Sequence, residues 1–356
     1  MPVFAPSQLV KIGTEMFKAV GVPDDQARIT AEVLVAANVH GVDSHGVSRI
    51  PGYVRSVRSG RVSPSVTIRV LKETPTTATW DCSGGFGQVY ARMAMEQAIT
   101  KAGSCSIGLV GTLGRGHIGA LYYYSMMAVG RGMVGVVTGR SVARQVVPYG
   151  GAAGRLGTNP IAIGIPAGDE RPILLDMATS IVAGGHAEVM AARGQKAPEN
   201  WFIDPDGTPT NDPNAYSKRK GMMVPFGTYK GYGLCLVLDA IGMALGATIS
   251  GDTGFGHTFM AIDPSDLVPF QDFRARMDEL VRYVKSCPPQ TGFSEVIIPG
   301  ELEFREEEKR TREGVFVDDQ FWEDMVQTGG EVGVDVAELV KSQDEYSAPY
   351  HSANKT

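Results

Sequence analysis

Residues 105–120 read CSIGLVGTLGRGHIGA. The apolar run over 105–110 predicts a strand, and the apolar pattern over 118–130 predicts a helix. Between them, GRGHIG at 114–119 has the G-x-G-x-x-G spacing that lets the backbone approach a phosphate group at a helix N-terminus. The stretch therefore indicates an α/β unit, with either a phosphate-binding loop or a simple tight turn after its strand.

A missing acidic residue separates this unit from a Rossmann fold. In a Rossmann unit an Asp or Glu about 20 residues after the glycines binds the ribose 2′-hydroxyl. The chain has no acidic residue between Glu96 and Asp169, and its next predicted strand runs into Arg140 and Ser141. We therefore expect an α/β fold that is not of the Rossmann type, although the backbone N–H groups of the loop would still suit a phosphate.

Strands and helices alternate on both sides of this stretch, which is typical of a layered α/β core. Further strands are predicted at 78–81, 133–138, 173–176, 258–262 and 295–298, and further helices at 88–101 and 229–245. Residues 1–40 predict two helices, and the charged tail from 301 predicts another. We predict two domains: a mainly helical one formed by residues 1–74 plus 301–356, and an α/β one formed by residues 75–300.

The composition excludes several classes of protein. The 356 residues carry a net charge of −6, which provides no basic surface for nucleic acid or an anionic membrane. The most apolar stretch, 231–247, contains Asp239 and four glycines, so it is too interrupted to span a bilayer. The four cysteines form no CxxC pair and indicate a reducing compartment, so we expect a cytoplasmic protein. No His or Cys cluster has metal-ligand spacing, and we expect no metal site.

The segment DSHGVSR at 43–49 carries the first candidate catalytic residues. His45 lies beside Ser44 and four residues before Arg49. A histidine can move protons near neutral pH, and an arginine binds a carboxylate through a two-pronged fork. The segment therefore suits acid–base chemistry on a carboxylate-bearing substrate. The alternative is a helix-end turn with a solvated histidine.

Other segments extend this pattern: GHIGA at 116–120, LGTNPIAIGIP at 156–166, LDMATS at 175–180, YKGYGL at 229–234 and PGE at 299–301. Together with DSHGVSR they resemble the malate/L-lactate dehydrogenase type 2 family, over about residues 5–335. That family includes ureidoglycolate and L-sulfolactate dehydrogenases, diketogulonate reductases and piperideine-carboxylate reductases. The resemblance implies an NAD(P)-dependent oxidoreductase with a non-Rossmann α/β fold, which forms a homodimer with active sites near the subunit interface.

The resemblance also implies roles for single residues. His45, with Ser44 beside it, matches the proton donor and acceptor at the substrate C2 oxygen, and Arg49 matches the arginine that binds the substrate carboxylate. His117 matches a residue that is the proton acceptor in some members and a cofactor contact in others, and Thr158 matches a neighbour of the substrate or the nicotinamide. The residues that match cofactor-binding positions are Ile118, Gly119, Ala120, Leu121, Ser141, Asp176, Met177, Ala178, Lys230, Gly300 and Glu301.

One position departs from the pattern of the family. Where some members have an acid that joins the Ser-His pair as a relay, this chain has His186. The change puts the relay in doubt, and His186 is either a substrate contact or a helix-surface residue. By the same resemblance, the α/β domain would hold the nicotinamide cofactor, and the helical domain would contribute to substrate binding and dimerisation.

We expect a hydride transfer between nicotinamide and a small 2-hydroxy or 2-oxo acid, with malate as the leading substrate and Arg144 or His186 as candidates for its second carboxylate. The alternatives are a cyclic imino-acid reductase, a ureidoglycolate or sulfolactate dehydrogenase, and a catalytically silent protein that binds NAD(P) or a carboxylate. NAD is the favoured cofactor, but Arg140 would suit the 2′-phosphate of NADP. A hydrolase built on Ser44 and His45 is disfavoured, because adjacent residues rarely present nucleophile and base to one another.

Overall fold

The computed structural model describes residues 2–114, 116–245 and 254–340. Its helices are α1 (Pro6–Lys18), α2 (Asp24–Val39), α3 (Ile50–Arg58), α4 (Gly87–Cys105), α5 (Tyr122–Val129), α6 (Gly184–Ala192), α7 (Asn214–Arg219), α8 (Tyr229–Leu245), α9 (Phe270–Lys285), α10 (Glu301–Glu313), α11 (Asp319–Glu331) and α12 (Val336–Leu339). Its strands are β1 (Val3–Phe4), β2 (Thr67–Glu73), β3 (Thr77–Ser83), β4 (Ile107–Gly114), β5 (Val134–Arg140), β6 (Ile161–Ile165), β7 (Ile173–Met177), β8 (Phe202–Ile203), β9 (Pro209–Thr210), β10 (Met222–Met223), β11 (Phe255–Ile262) and β12 (Val315–Phe316).

A seven-stranded mixed sheet with the strand order β2-β3-β4-β11-β5-β6-β7 forms the centre of the fold. In this sheet β3 and β4 run parallel, and the other neighbouring pairs are antiparallel. β11 comes late in the chain but lies between β4 and β5. A Rossmann sheet is mostly parallel, so the prediction of an α/β fold of another type is confirmed.

Helices α4 and α5 pack on one face of this sheet. Their apolar side chains and the alternate strand residues that point toward them form a buried core that includes Tyr90, Val110, Val137 and Phe259. Alternation is expected because successive strand residues point to opposite faces. Helix α8 packs against β5 and β11 from the other face, where a Cβ on Gly242 would lie 2.4 Å from the Cβ of Arg140.

The N-terminal helices and the C-terminal segment pack together. Leu9, Ile12 and Met16 recur at helical spacing on α1 and are fully buried. They share a core with Leu34 of α2 and Met325 of α11, and β1 pairs with β12. β2 joins the central sheet although it precedes the predicted boundary at residue 74. The division into two domains itself stays a prediction.

Two local predictions are wrong. The strand predicted at 295–298 is a loop that leads to α10, and there the N–H of Leu174 donates to the carbonyl of Pro299. The helix predicted from residue 118 begins only at Tyr122, because Gly119 has a left-handed backbone with φ of 81°. The stretch before α5 is therefore an irregular loop.

Candidate active site

A cleft of about 870 Å³ opens between the segment 43–49, the loop after β4, and strands β5 and β7. Its volume lies within the range of small-molecule and cofactor sites. It brings together most of the residues singled out from the sequence: Ser44, His45, Arg49, His117, Ile118, Gly119, Ala120, Leu121, Ser141, Thr158, Asp176, Met177, Ala178 and Gly300. Four predicted residues, Arg144, His186, Lys230 and Glu301, do not line it.

Two short 3-10 turns, Asp43–His45 and Val47–Arg49, form the segment 43–49. The hydroxyl oxygen of Ser44 lies 2.9 Å from Nδ1 of His45. The Nε group of Arg49 donates to the backbone carbonyl of Ser44 at 2.9 Å, which leaves the outer guanidinium nitrogens for a ligand. Adjacent residues thus do contact one another here, so the premise against a Ser44–His45 pair does not hold for this turn.

His117 faces His45 across the cleft, with their ring centroids 5.2 Å apart. Its Nδ1 accepts the N–H of Gly119 at 3.2 Å and lies 3.3 Å from the hydroxyl of Tyr53. The amide of Gln88 in turn donates to that hydroxyl at 3.1 Å. Because Nδ1 acts as an acceptor, the neutral ring of His117 carries its proton on Nε2.

Tyr53 and Gln88 were not predicted from the sequence. Tyr53 lies one helical turn after Arg49, so the i,i+4 spacing was a signal that could have found it. Gln88 had no such signal, since it lies on α4 and reaches Tyr53 only through the tertiary fold.

Burial lowers the pKa of both histidines, so each is a weaker base than an exposed histidine. Burial, and then the positive charge of Arg49, lowers the pKa of His45 to about 4. Burial, and then the charges of His45 and Arg49, lowers the pKa of His117 to about 3. Their side chains open onto the cleft, but the surrounding protein limits their hydration. Both rings are therefore neutral near pH 7.

Asp176 occupies another part of the cleft, at the end of β7. Its carboxylate accepts the N–H of Tyr122 at 2.8 Å, at the start of α5. Burial raises the pKa of Asp176 to about 7, against this hydrogen bond, and the carboxylate of Glu303 raises it further. Glu303 also lines the cleft and was not predicted from the sequence.

Partly buried hydrogen bonds fix the loops beside Asp176. The side chain of Asn159 accepts the N–H of Ser141 at 3.1 Å and donates to Asp239 at 3.0 Å. Arg140 also pairs with Asp239, at 3.3 Å, and donates to the carbonyl of Gly254. The guanidinium of Arg140 is thus already engaged by protein groups, which weakens its predicted suitability for a 2′-phosphate.

The glycines of GRGHIG are explained by packing. A Cβ on Gly114 would lie 2.1 Å from the hydroxyl of Tyr90, and a Cβ on Gly116 would lie 3.0 Å from the backbone nitrogen of Gly87. Gly114 is also the last residue of β4 rather than part of a loop. The G-x-G-x-x-G spacing is therefore not a dinucleotide fingerprint here.

The residues present nonetheless suit a nicotinamide dinucleotide. The cleft presents a carboxylate from Asp176, a hydroxyl from Ser141 and the backbone of residues 118–121 at separated points. His40 also lines it, and the ring Nε2 of this buried residue has no hydrogen-bond partner within the described parts of the chain. Unsatisfied buried polar groups are rare unless a ligand or water completes them.

Helix α6 closes the end of the cleft that lies next to Ser44 and Arg49. A Cβ on Gly185 would lie 3.5 Å from the Cβ of Ser44 and 3.8 Å from the guanidinium of Arg49. His186 is exposed on this helix, outside the cleft, whereas Glu188 lines the cleft. Glu188 was not predicted from the sequence, and its spacing of three to four residues from the paired glycines was the signal that could have found it.

No group of three or more His, Cys, Asp or Glu side chains in residues 2–114, 116–245 and 254–340 is placed to bind a metal ion. Within the same ranges, every helix is too short or too polar to cross a lipid bilayer.

Comparisons with known proteins agree with this geometry. A model of the malate/L-lactate dehydrogenase family matches residues 4–326. The chain is 36% identical to L-sulfolactate dehydrogenase of Methanocaldococcus jannaschii, over 95% of this chain and 100% of that protein. It is 35% identical to malate dehydrogenase of Pyrococcus horikoshii, over 92% and 94%, and 29% identical to the ureidoglycolate dehydrogenase (NAD(+)) of Escherichia coli K12, over 86% and 90%. The solved M. jannaschii structure superposes with a TM-score of 0.86 at 34% identity, covering 96% of this chain and 100% of that one.

Proposed function

We propose, on the premise that this chain belongs to the malate/L-lactate dehydrogenase family and is a 2-hydroxy-acid dehydrogenase, that its substrate is a small 2-hydroxydicarboxylate such as malate. The observation that carries the proposal is the guanidinium of Arg49, which opens into the cleft beside His45 and His117. The names of two relatives, a malate and a sulfolactate dehydrogenase, support a substrate with two acidic groups. Sulfolactate is the second candidate for that reason.

Arg49 binds the substrate carboxylate in this proposal. Its Nε is occupied by the Ser44 carbonyl, and no acidic side chain in the described ranges forms an ion pair with it. The two outer nitrogens can then donate in parallel to one carboxylate, an arrangement that fixes both position and orientation. Gln145 and Tyr216, which also line the cleft, offer donors to the second acidic group. His186 is assigned to the helix surface.

His45 transfers the proton in this proposal. With Nδ1–H donated to the hydroxyl of Ser44, Nε2 is free to take the proton of the substrate hydroxyl. His117, with its proton on Nε2, donates a hydrogen bond to the same substrate oxygen and steadies its developing charge. A bound nicotinamide supplies or accepts the hydride. The protein contributes orientation, proton transfer and exclusion of water.

NAD is the proposed cofactor. Asp176 and Glu303 place two carboxylates in the cleft, and the charge of Glu303 acts on Asp176. Negative charges at this position would repel the additional phosphate of NADP. The engagement of Arg140 by Asp239 also supports NAD.

The proposed proton transfer has a characteristic pH dependence. The value of kcat/KM reports the free enzyme, in which the pKa of His45 is about 4. Reduction of an oxo acid needs the protonated ring of His45. Above the pKa of His45, the protonated fraction falls as the pH rises. Between roughly pH 6 and 8, kcat/KM for oxo-acid reduction should fall by about tenfold per unit, while hydroxy-acid oxidation stays level.

Steady-state rates across that window test this prediction. An Asp176→Asn variant separates the titration of Asp176, whose pKa of about 7 lies in the same range. A reduction rate that does not depend on pH in this variant would contradict His45 as the donor.

A homodimer is also proposed. The face of β5, β6 and β7 that points away from α5 carries half-buried apolar side chains, among them Val136, Ile163 and Leu175. Helix α8 covers part of this face and itself exposes Leu236 (45%) and Val237 (54%). A second copy would remove this apolar surface from water.

Analytical ultracentrifugation tests the proposed dimer. We expect a dimer for the parent protein and a monomer for Val237→Asp. A monomeric parent protein would refute this arrangement. Location in the cytoplasm stays a prediction.

One assay tests the proposed activity. The protein is mixed with NADH or NADPH and a panel that includes oxaloacetate, pyruvate, sulfopyruvate and a cyclic imino acid, and the absorbance of the reduced cofactor is followed. Fastest oxidation of NADH with oxaloacetate or sulfopyruvate supports a dianionic substrate. Fastest turnover with pyruvate or the imino acid contradicts it. Cofactor binding without turnover on any compound would instead favour a catalytically silent protein.

A further inference from the structure

We infer that Arg310 of α10 is a positioning residue, which holds the segment 43–49 so that His45 and Arg49 face the substrate. The inference rests on the proposed roles of His45 and Arg49. Arg310 does not line the cleft, so any effect on the reaction passes through the segment that it holds.

Arg310 binds the start of the catalytic segment through a fork of hydrogen bonds. Nη1 donates to Oδ1 of Asp43 at 2.6 Å, and Nη2 donates to Oδ2 at 3.2 Å. Nη1 also donates to the carbonyl of Asn38, near the end of α2, at 2.7 Å, and Nε donates to Glu306 at 2.7 Å. The side chain is only 17% exposed. Asp43 is 56% exposed, but a two-pronged contact from a largely buried arginine fixes geometry more strongly than an ordinary surface ion pair.

Asn38 is a second residue that holds the turn, through Asp43 before it and Val47 after it. Its buried amide donates to Oδ1 of Asp43 at 2.7 Å and accepts the N–H of Val47 at 2.6 Å. Arg310 and Asn38 together therefore anchor the residues on both sides of Ser44, His45 and Gly46.

Gly46 shows how closely the turn fits this anchor. A Cβ at Gly46 would lie 2.0 Å from Oδ1 of Asn38. The turn therefore has no room to shift toward Asn38. If Arg310 were lost, the turn would be free to move only in the other direction, toward the cleft. The contact between Ser44 and His45, 2.9 Å across the same turn, depends on that position.

A lysine cannot reproduce the contact, because one ammonium group cannot serve both carboxylate oxygens of Asp43 and the carbonyl of Asn38 in one plane. We expect Arg310→Ala and Arg310→Lys to lower kcat by about 10- to 100-fold, the size of effect that a misplacement of about 1 Å produces. Arg312→Ala is the control. Arg312 lies on the same helix, is 73% exposed and pairs with its neighbour Glu313, and its loss should leave kcat unchanged.

Rescue distinguishes positioning from general loss of structure. Low concentrations of guanidinium chloride should restore part of the activity of Arg310→Ala and none to Arg310→Lys, whose ammonium still occupies the space. Guanidinium would only weaken a protein that had lost its fold. If the alanine variant does not fold, Asp43→Asn, which keeps the shape of the side chain and removes its charge, replaces it in the kinetic comparison.

A second measurement is independent of activity. Carbethoxylation of His45 by diethylpyrocarbonate is followed by peptide mass spectrometry, with the exposed His186 as the internal reference. We expect the rate ratio of His45 to His186 to change severalfold in Arg310→Ala or, failing its folding, Asp43→Asn, and to stay constant in Arg312→Ala. An unchanged ratio would overturn the inference, as would an unchanged kcat in an active enzyme. If the parent protein turns over no oxo acid, the proposed function fails, and the modification ratio still decides whether Arg310 holds the segment.

Discussion

Replacing His45 by alanine is expected to lower kcat by about 10²-fold or more, the usual contribution of general acid–base catalysis. The physical reason is that His45 is the neutral imidazole that faces the proposed substrate site and contacts Ser44 at 2.9 Å. His117 cannot easily replace it as the base, because Nδ1 of His117 accepts the N–H of Gly119 and its remaining nitrogen already carries a proton.

Steady-state kinetics with NADH and the best oxo acid of the panel measure this effect. His186→Ala is the matched control, because His186 lies on α6 outside the cleft, and it should retain the parent kcat. Full turnover by His45→Ala would transfer the role of acid and base to His117. Loss of activity in both variants to the same extent would point to a structural cause instead.

Arg49→Lys is expected to raise the KM of the oxo acid by about tenfold or more, since a hydrogen bond to a charged group contributes roughly 1.5–3 kcal/mol. Lysine keeps the positive charge but loses the fork. It also loses the bond from Nε to the Ser44 carbonyl, which steadies the side chain at 2.9 Å. We expect a smaller change in kcat, because the arginine holds the carboxylate in both the ground state and the transition state.

The matched control is Arg58→Lys. Arg58 is the last residue of α3, the helix that begins directly after Arg49; it lies away from the cleft and pairs with Glu331 at the surface. Initial rates over a range of oxo-acid concentrations give KM for each variant. An unchanged KM for Arg49→Lys would refute the carboxylate clamp, whereas a raised KM for both variants would indicate a shift of the whole helix.

The predicted cofactor-binding residues show which residues of the cleft a sequence motif can identify and which it cannot. Residues 118–121 and 176–178 line the cleft as expected, because each group is a short run whose neighbours in sequence are also neighbours in space. Lys230 and Glu301 do not line it. Glu301 turns instead toward Lys285 of α9, with which it pairs at 2.7 Å, and a motif contains no information about that partner.

His186 and Glu188 lie on the same helix, yet only Glu188 lines the cleft. On a helix, two residues two positions apart point to different sides. The sequence left open whether His186 contacts the substrate or lies on the helix surface, and only the packing of α6 against the segment 43–49 identifies the side that faces the cleft.

The sequence by itself determined the fold class and the family, and it pointed to a candidate catalytic segment. The missing acid after GRGHIG argued against a Rossmann unit, and Ser44, His45 and Arg49 lie within a few residues of one another, so their association is local. The tertiary structure alone decided what holds and tunes these groups. Arg310 reaches Asp43 across 267 positions, and Gln88 reaches Tyr53 across 35. Such contacts arise because chain packing brings distant side chains within hydrogen-bond distance, and no periodicity or local spacing records which pairs will meet.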